Sequence, residues 1–459
     1  MPSRKPSEPL VTTHHRAPPE DRTMKAPPCI LLIGTVDTKS DEMAYLRDCI
    51  TQAGGRTLVL DVGVLGRGGF VPDISNHQVA EAAGVTLEQV IASGDENTSM
   101  VLMARGATAI GQRLLAEGRI SGVLALGGTM GTDLALDVMN ALPLGFPKVL
   151  LSTIAYSHLL PAERIPPDLI MVLWAGGLYG LNSLCKSALS QAAGAVMGAC
   201  HSVVAPDRQR PMVGMTSLGS SALVYMKRLK PELERRGFEL AVFHTTGMGG
   251  RAFEALAASG RFVAVMDFSL QELVNHMAGS CVTAGADRLR GAGRAGVPQI
   301  VAPGATDMVD YAAWATRPDG YAGRAEHAHN RLLSSISISP EMRRRVAREI
   351  TSRLGEAQGP TVLLLPTQGI EGWDRPGEPL HDPEGLAALV DELQASVAPG
   401  TRLQALPAHI NDAAFAEAAL QVFDAWLAEG LIPNPLATPS TLASTQASTA
   451  PVPPSVAAA

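Results

Sequence analysis

The chain has 459 residues, 46% of them hydrophobic, with 37 Lys and Arg against 44 Asp and Glu and a net charge of −7. That length and apolar content can bury two cores and is large for one, so two domains are expected. The acidic balance, with no basic cluster beyond Arg343, Arg344 and Arg345, argues against a nucleic-acid binder. Five scattered cysteines without a Cys-x-x-Cys pair indicate neither a disulfide framework nor a zinc site, and fit a reducing cytoplasm.

In chain order, residues 1–25 carry His14, His15, Pro18 and Pro19 where a signal peptide needs an apolar core, and read as a disordered extension. A strand over Cys29–Gly34, a helix over Glu42–Ala53 and a strand over Arg56–Asp61 make a βαβ unit. The loop after the first strand supplies hydroxyls at Thr35, Thr38 and Ser40 and one cation at Lys39, with Thr38 and Asp41 spaced as a capping pair. It resembles a Walker loop only superficially, since the second glycine is missing, so a P-loop NTPase is not expected. Asp61 closes the second strand, where a carboxylate can accept hydrogen bonds from ribose hydroxyls. Asp95–Met100 offers further polar groups at the start of a helical pattern running over Thr98–Glu117.

The strand Gly122–Leu126 then ends in Gly127, Gly128 and Gly131 with Thr129 and Thr132 between and after them, before a helix expected to begin near Asp133. Missing Cβ atoms let backbone N–H groups approach an anion, and the helix dipole points into the same space. A phosphate-bearing ligand is one reading and a tightly packed turn the other. Asp133 and Asp137 would repel bare phosphate and imply a divalent cation if they faced the site; Asp137 reads as solvent-facing. A strand over Lys148–Ile154 follows. The apolar window Leu169–Val204, interrupted by Asn182, Lys186 and Gln191, suits close helix packing and not a membrane span.

Pro206 and Pro211 bracket a charged segment, which sets the boundary between a nucleotide-binding domain over 26–205 and a second domain over 206–432. The second half restarts the pattern with strands at Met212–Thr216, Leu240–His244, Phe262–Met266, Gln299–Ala302 and Val362–Leu365. Each half is therefore expected to be a doubly wound, Rossmann-like α/β domain with a mainly parallel sheet. A strand, threonine, polar loop and helix occur in succession near Ser40 and again near Ser221, a weak hint of duplication. His244–Gly250 repeats the step from strand to glycine loop. His244, Asp267, Glu272 and Asp307 are the candidate catalytic groups. Ser217, Gly219, Ser220, Gly247, Gly249, Gly250 and Gly304 are the candidate substrate contacts, converging on one sheet edge. Taken singly, His244 reads as a structural histidine, Asp267 as a helix cap and Gly304 as a turn residue. His276, His327, His329, His381 and His409 lack metal-ligand spacing, and the 327/329 pair lies in a polar stretch read as exposed. The Pro/Thr/Ser/Ala mixture over 433–459 reads as a disordered tail.

The segments GTVDTKSDE, LDVG, GVLALGGTMGT and WAGGLYGLNSLCKSALSQAAGA occur together with GMTSLGSSA, HTTGMGGRAFE, DFSLQEL, VAPGATDMVDY, LLPTQGIEGWDRPGEPLHDPEG and INDAAFAEA. Over roughly residues 28–430 they resemble the ATP-binding family typified by the tomato mosaic virus resistance protein. The resemblance implies a homodimer that binds ATP with magnesium. The site residues it implies are Gly34, Thr35, Asp37 and Lys39, the segment from Ser99 to Arg105, and the loop Gly127, Gly128, Thr129, Gly131 and Thr132. The antiviral role and extra barrel domain of plant members are not carried over. Two functions follow as expectations. One is a cytoplasmic enzyme coupling ATP to phosphoryl transfer or activation of a small anionic substrate in the second domain. The other is a regulatory or interaction protein using ATP as a structural or sensing ligand. No nucleic-acid or membrane partner is expected, and a nicotinamide or flavin is disfavoured because the first loop lacks the dinucleotide glycine fingerprint.

Overall fold

Short apolar runs that bury both faces alternate with longer amphipathic segments, the pattern that makes parallel strands covered by helices on two sides. The computed structural model describes residues 26–66, 68–161, 164–204, 209–219, 223–317 and 319–436. The extension read over 1–25, the boundary residue Pro206, Ser220 and the tail beyond 436 lie outside them.

The first half runs β1 (Cys29–Gly34), α1 (Ser40–Gln52), β2 (Arg56–Asp61), α2 (Asn76–Ala82), α3 (Leu87–Ala92), α4 (Glu96–Ala116), β3 (Gly122–Gly127), α5 (Thr129–Asn140), β4 (Lys148–Ser152), β5 (Ile170–Leu173) and α6 (Ser183–Ser202). The strands form one parallel sheet in the order β2-β1-β3-β4-β5. Alternate residues of β1 serve opposite cores. Leu31 and Ile33 pack towards α2, α4 and α5, whereas Ile30 and Leu32 pack towards α1 and α6. Each such buried side chain contributes about 1.5–3 kcal/mol relative to exposure. The apolar window over 169–204 divides into edge strand β5 and helix α6.

The second half runs β6 (Met212–Ser217), α7 (Leu223–Arg235), β7 (Glu239–His244), α8 (Met248–Ala258), β8 (Ala264–Asp267), α9 (Gln271–Met277), α10 (Gly291–Arg294), β9 (Gln299–Val301), β10 (Met308–Ala312), β11 (Glu326–Ala328), β12 (Leu333–Ser337), α11 (Pro340–Gly355), β13 (Thr361–Pro366), α12 (Pro383–Ser396), β14 (Thr401–Leu406) and α13 (Ala413–Ala428). Its six-stranded parallel sheet has the order β14-β13-β9-β8-β6-β7. Read from the other edge this is the order of the first sheet with one strand added. The α/β class with two parallel sheets is therefore as expected. A small antiparallel sheet, β10-β12-β11, was not foreseen.

Two local expectations are revised. Helix α5 starts at Thr129, not near Asp133, because Gly128 takes the N-cap position. The Thr38/Asp41 capping pair does not form. Lys39 is the N-cap of α1 without a side-chain bond, the Thr38 hydroxyl pairs with that of Thr35 at 2.7 Å, and Ser40 Oγ accepts from the Gly69 N–H at 2.7 Å.

Candidate functional site

Strand β1 lies between β2 and β3, so the chain leaves β1 and β3 towards opposite faces and a crevice opens at their carboxyl ends. A cleft of about 580 Å³ occupies this switch point. Gly34, Thr35, Asp37 and Lys39 of the first loop line it, as do Gly127, Gly128, Thr129 and Gly131 of the second, and Ser99 of α4. Gly128 brings no side chain to the first-turn N–H groups of the twelve-residue helix α5, whose positive end faces the cleft. A Cβ on Gly127 would stand 2.7 Å from the Gly131 backbone, so that glycine is needed for close approach of loop and helix; one on Gly128 would meet nothing nearer than 3.8 Å. The cleft is also lined by Val62, Val64, Leu65, Ile91, Met100 and Met103, apolar residues that the sequence reading did not identify.

Three of the expected ligand residues, Asp61, Arg105 and Thr132, are not among those lining the cleft and are engaged elsewhere in the protein. Buried Asp61 accepts the N–H groups of Val36 and Gly63 through Oδ1, both at 2.9 Å, and so ties the first loop to the end of β2; burial raises its pKa. The Arg105 guanidinium donates to the Ala83 carbonyl, and the buried Thr132 hydroxyl pairs with Ser152 Oγ at 2.7 Å. Asp37 accepts the Leu65 N–H at 2.8 Å through Oδ2, while its Oδ1 is buried with no hydrogen-bond partner. Lys39 Nζ donates to the Leu178 carbonyl at 2.6 Å and lies 5.0 Å from the Tyr179 ring centre, and the Gly180 N–H donates to Glu42 at 2.9 Å. Residues 178–180 thus form a strap stapled to the start of α1. Asp133 and Asp137 both pair with Arg164, Asp137 at 2.6 Å, so neither is simply solvent-facing.

In the second half the corresponding switch point lies between β6 and β8, whereas the glycine loop leaves edge strand β7 on the other side of β6, and that loop is already occupied by the protein. Glu272 Oε1 accepts the N–H groups of Gly247 at 2.6 Å and Gly250 at 3.1 Å. Its other oxygen accepts from Arg288 Nε at 3.0 Å. Arg288, fully buried, also grips Asp267 at 2.5 and 2.7 Å and Glu254 at 3.0 Å. Burial pushes the Glu272 carboxyl up to about 7 despite the opposing Arg288 charge. Asp267 and Glu272 are thus brought together, but in a closed ion cluster. A Cβ on Gly249 would lie 1.9 Å from the His244 carbonyl oxygen and one on Gly304 2.0 Å from that of Phe268, which gives both glycines packing roles. His244 is exposed at the end of β7, with Nδ1 3.3 Å from the Gly219 N–H, near the Ser217 carbonyl.

Asp307 stands apart from that cluster, in the loop after β9 beside the loop after β13. It is fully buried with neither oxygen hydrogen-bonded, and burial raises its carboxyl to about 7. Its neighbour Glu371 is pushed up to about 10 by burial and by the Asp307 charge. Nearby, His409 Nε2 meets Asp374 at 2.9 Å while its Nδ1 accepts the Asn411 N–H, which fixes the proton on Nε2. His327 and His329 are not simply exposed: they pack on Trp373 with ring centres 4.4 and 4.6 Å away. Sequence reasoning missed Arg288, Glu254 and Glu371. The available signal was only that Asp267, at the end of a buried strand, requires a counter-charge, and nothing local named Arg288 as its source. Among the described residues no group of three or more His, Cys, Asp or Glu side chains is placed to hold a metal ion, and no helix is long and apolar enough to cross a membrane.

Residues 28–205 match the N-terminal domain of the uncharacterised protein family UPF0261, and residues 210–427 match its C-terminal domain. A UPF0261 protein of Brucella melitensis is 55% identical over 88% of this chain and 97% of that protein. One from Clostridium tetani is 34% identical over 84% of this chain and 96% of its own. The ToMV resistance protein Tm-1 of Solanum lycopersicum is more distant, 29% identical over 86% of this chain and 55% of the plant protein. Among solved structures, E. coli ADP-heptose LPS heptosyltransferase II aligns over 88% of this chain and 99% of its own with 10% identity and a TM-score of 0.20, too slight a likeness to carry an argument.

Proposed function

We propose, for a chain that belongs to the uncharacterised protein family UPF0261, that its first half binds a nucleotide, expected to be ATP, in the cleft between β1 and β3. The observation that carries this reading is that one cleft combines an uncapped helix end and glycine loop with apolar lining from α3, α4 and the loop after β2. Phosphates suit the first and a purine ring the second. Magnesium travels with nucleoside triphosphates on one or two carboxylates plus phosphate oxygens. Asp37, with its unpartnered oxygen, fits as that carboxylate.

Calorimetric titration with ATP, with and without magnesium, tests the reading against a Gly128→Val variant, whose side chain has room in the fold but crowds the loop. Wild type is expected to bind, and the variant to lose about a hundredfold, or ~2.7 kcal/mol. Absence of ATP binding by wild type would overturn the assignment.

A second reading, in which nucleotide is a sensed ligand and is not consumed, is favoured by Lys39. Its ammonium is held by the strap in this structure, and the residue is one of those lining the cleft. A phosphate competing for that ammonium would loosen residues 178–180, giving the bound state the differential contact a sensor requires.

A further inference from the structure

The cleft does not end at the first turn of α5. Beyond Thr129 and Met130 it opens into a second lobe of about 560 Å³, which shares Asp95, Glu96 and Met100 with the first. Either lobe alone lies within the ~300–1,000 Å³ of a small-molecule site, so one nucleotide leaves the second lobe unfilled. Leu136, Ile154, Leu159 and Leu160 give this lobe apolar lining. Leu159 is 67% and Met130 44% exposed, apolar surface that a ligand would cover.

The charges of the lobe select what that ligand carries. Arg164 is the one cation among the described lining residues, and it is committed: Nη1 donates to Asp137 at 2.6 Å, and Nη2 donates to the Asp133 carbonyl at 3.0 Å as well as to the Asp133 carboxylate. An anionic ligand would have to displace an aspartate already in place. Arg164 offsets Asp133, and the surplus negative charge comes from Asp95 and Glu96, which also border the first lobe, so a cation in the second lobe would lie between these carboxylates and the phosphates of a nucleotide in the first. We propose that the second lobe binds a small organic cation with an apolar body, an amine by chemical class, beside the terminal phosphate of the nucleotide. This rests on the nucleotide reading above and replaces the anionic substrate expected in the second half with a cationic one in the first.

The test uses the full chain, first titrated with AMP-PNP and magnesium, then with phenethylamine and, separately, with 3-phenylpropionate. Phenethylamine is expected to bind the loaded protein at least tenfold more tightly than the carboxylate. Two variants at exposed positions, Glu96→Lys and Leu159→Trp, are each expected to weaken phenethylamine at least tenfold, one by charge and one by filling the lobe. Circular dichroism checks that both fold. If AMP-PNP binds but the amine does not, or the carboxylate binds equally well, or neither variant alters amine binding, the inference fails while the nucleotide reading stands. If AMP-PNP itself does not bind, the nucleotide reading falls and this inference with it.

Discussion

In the first half, the loops after β1 and β3 meet over a helix end that no side chain caps, and a cleft lies open there. In the second half, with the same strand order and one strand more, the glycine loop follows β7, the counterpart of β2, and closes on Glu272, which also accepts from Arg288. Topology decides where loops converge; whether the convergence receives a ligand depends on one or two side chains. A buried carboxylate in the second half takes the hydrogen bonds that a phosphate is proposed to take in the first.

The comparison can be broken most forcefully at Arg288. Replacement by Met leaves Glu254, Asp267 and Glu272 facing one another without a cation, and is expected to cost about 3–5 kcal/mol in urea denaturation. A loss below about 1 kcal/mol would mean that the cluster does not hold the second half closed.

A smaller effect concerns the carboxyls themselves. Asp307 and Glu272 are held near 7 in the folded protein, above their ordinary range of about 4 when unfolded. The folded state therefore retains more protons between pH 4 and 7. Their contribution to stability is full below about pH 4 and is lost as pH rises through 7. Asp307→Asn is expected to flatten this slope and to raise stability at pH 8 by about 1–3 kcal/mol relative to wild type, measured by denaturant titration at pH 5 and pH 8.

The smallest change is expected at Lys39, whose bond to Leu178 is only partly buried. Lys39→Met should cost about 0.5–1 kcal/mol of stability. A loss approaching that at Arg288 would erase the contrast between a staple on an open cleft and the keystone of a closed one.

The apolar runs and glycine loops of both halves were legible because they obey local rules. A strand buried on both faces must be nearly all apolar, and a loop that approaches a helix end must shed Cβ atoms. The loop Gly127 to Gly131 was found for that reason, whereas Gly34 to Lys39 were put forward from the hydroxyls and cation of their loop and from the family resemblance. Arg288 was not, because a lone arginine in a loop declares nothing until the fold places three carboxylates around it. The small antiparallel sheet escaped for a related reason. Its strands β10, β11 and β12 are three to five residues long, too short for alternation to stand out, and β10 pairs with β12 and not with β11, its neighbour in sequence. Asp61 was recognised as a carboxylate at the right strand end, but its consumption by the Val36 and Gly63 N–H groups depends on a turn that sequence spacing does not specify.

The strap has a consequence for biosynthesis. Lys39 is fastened to a carbonyl 139 residues further along the chain, and Glu42 to an N–H 138 residues further. At about 5–20 residues per second, a ribosome delivers those partners roughly 7–28 s after the first loop has been made. During that interval β1 and α1 can form on a nascent chain, but the start of α1 lacks its fastening. The part of the cleft nearest the N-terminus is therefore the last to mature, and a pause in translation before residue 180 would prolong its unfinished state.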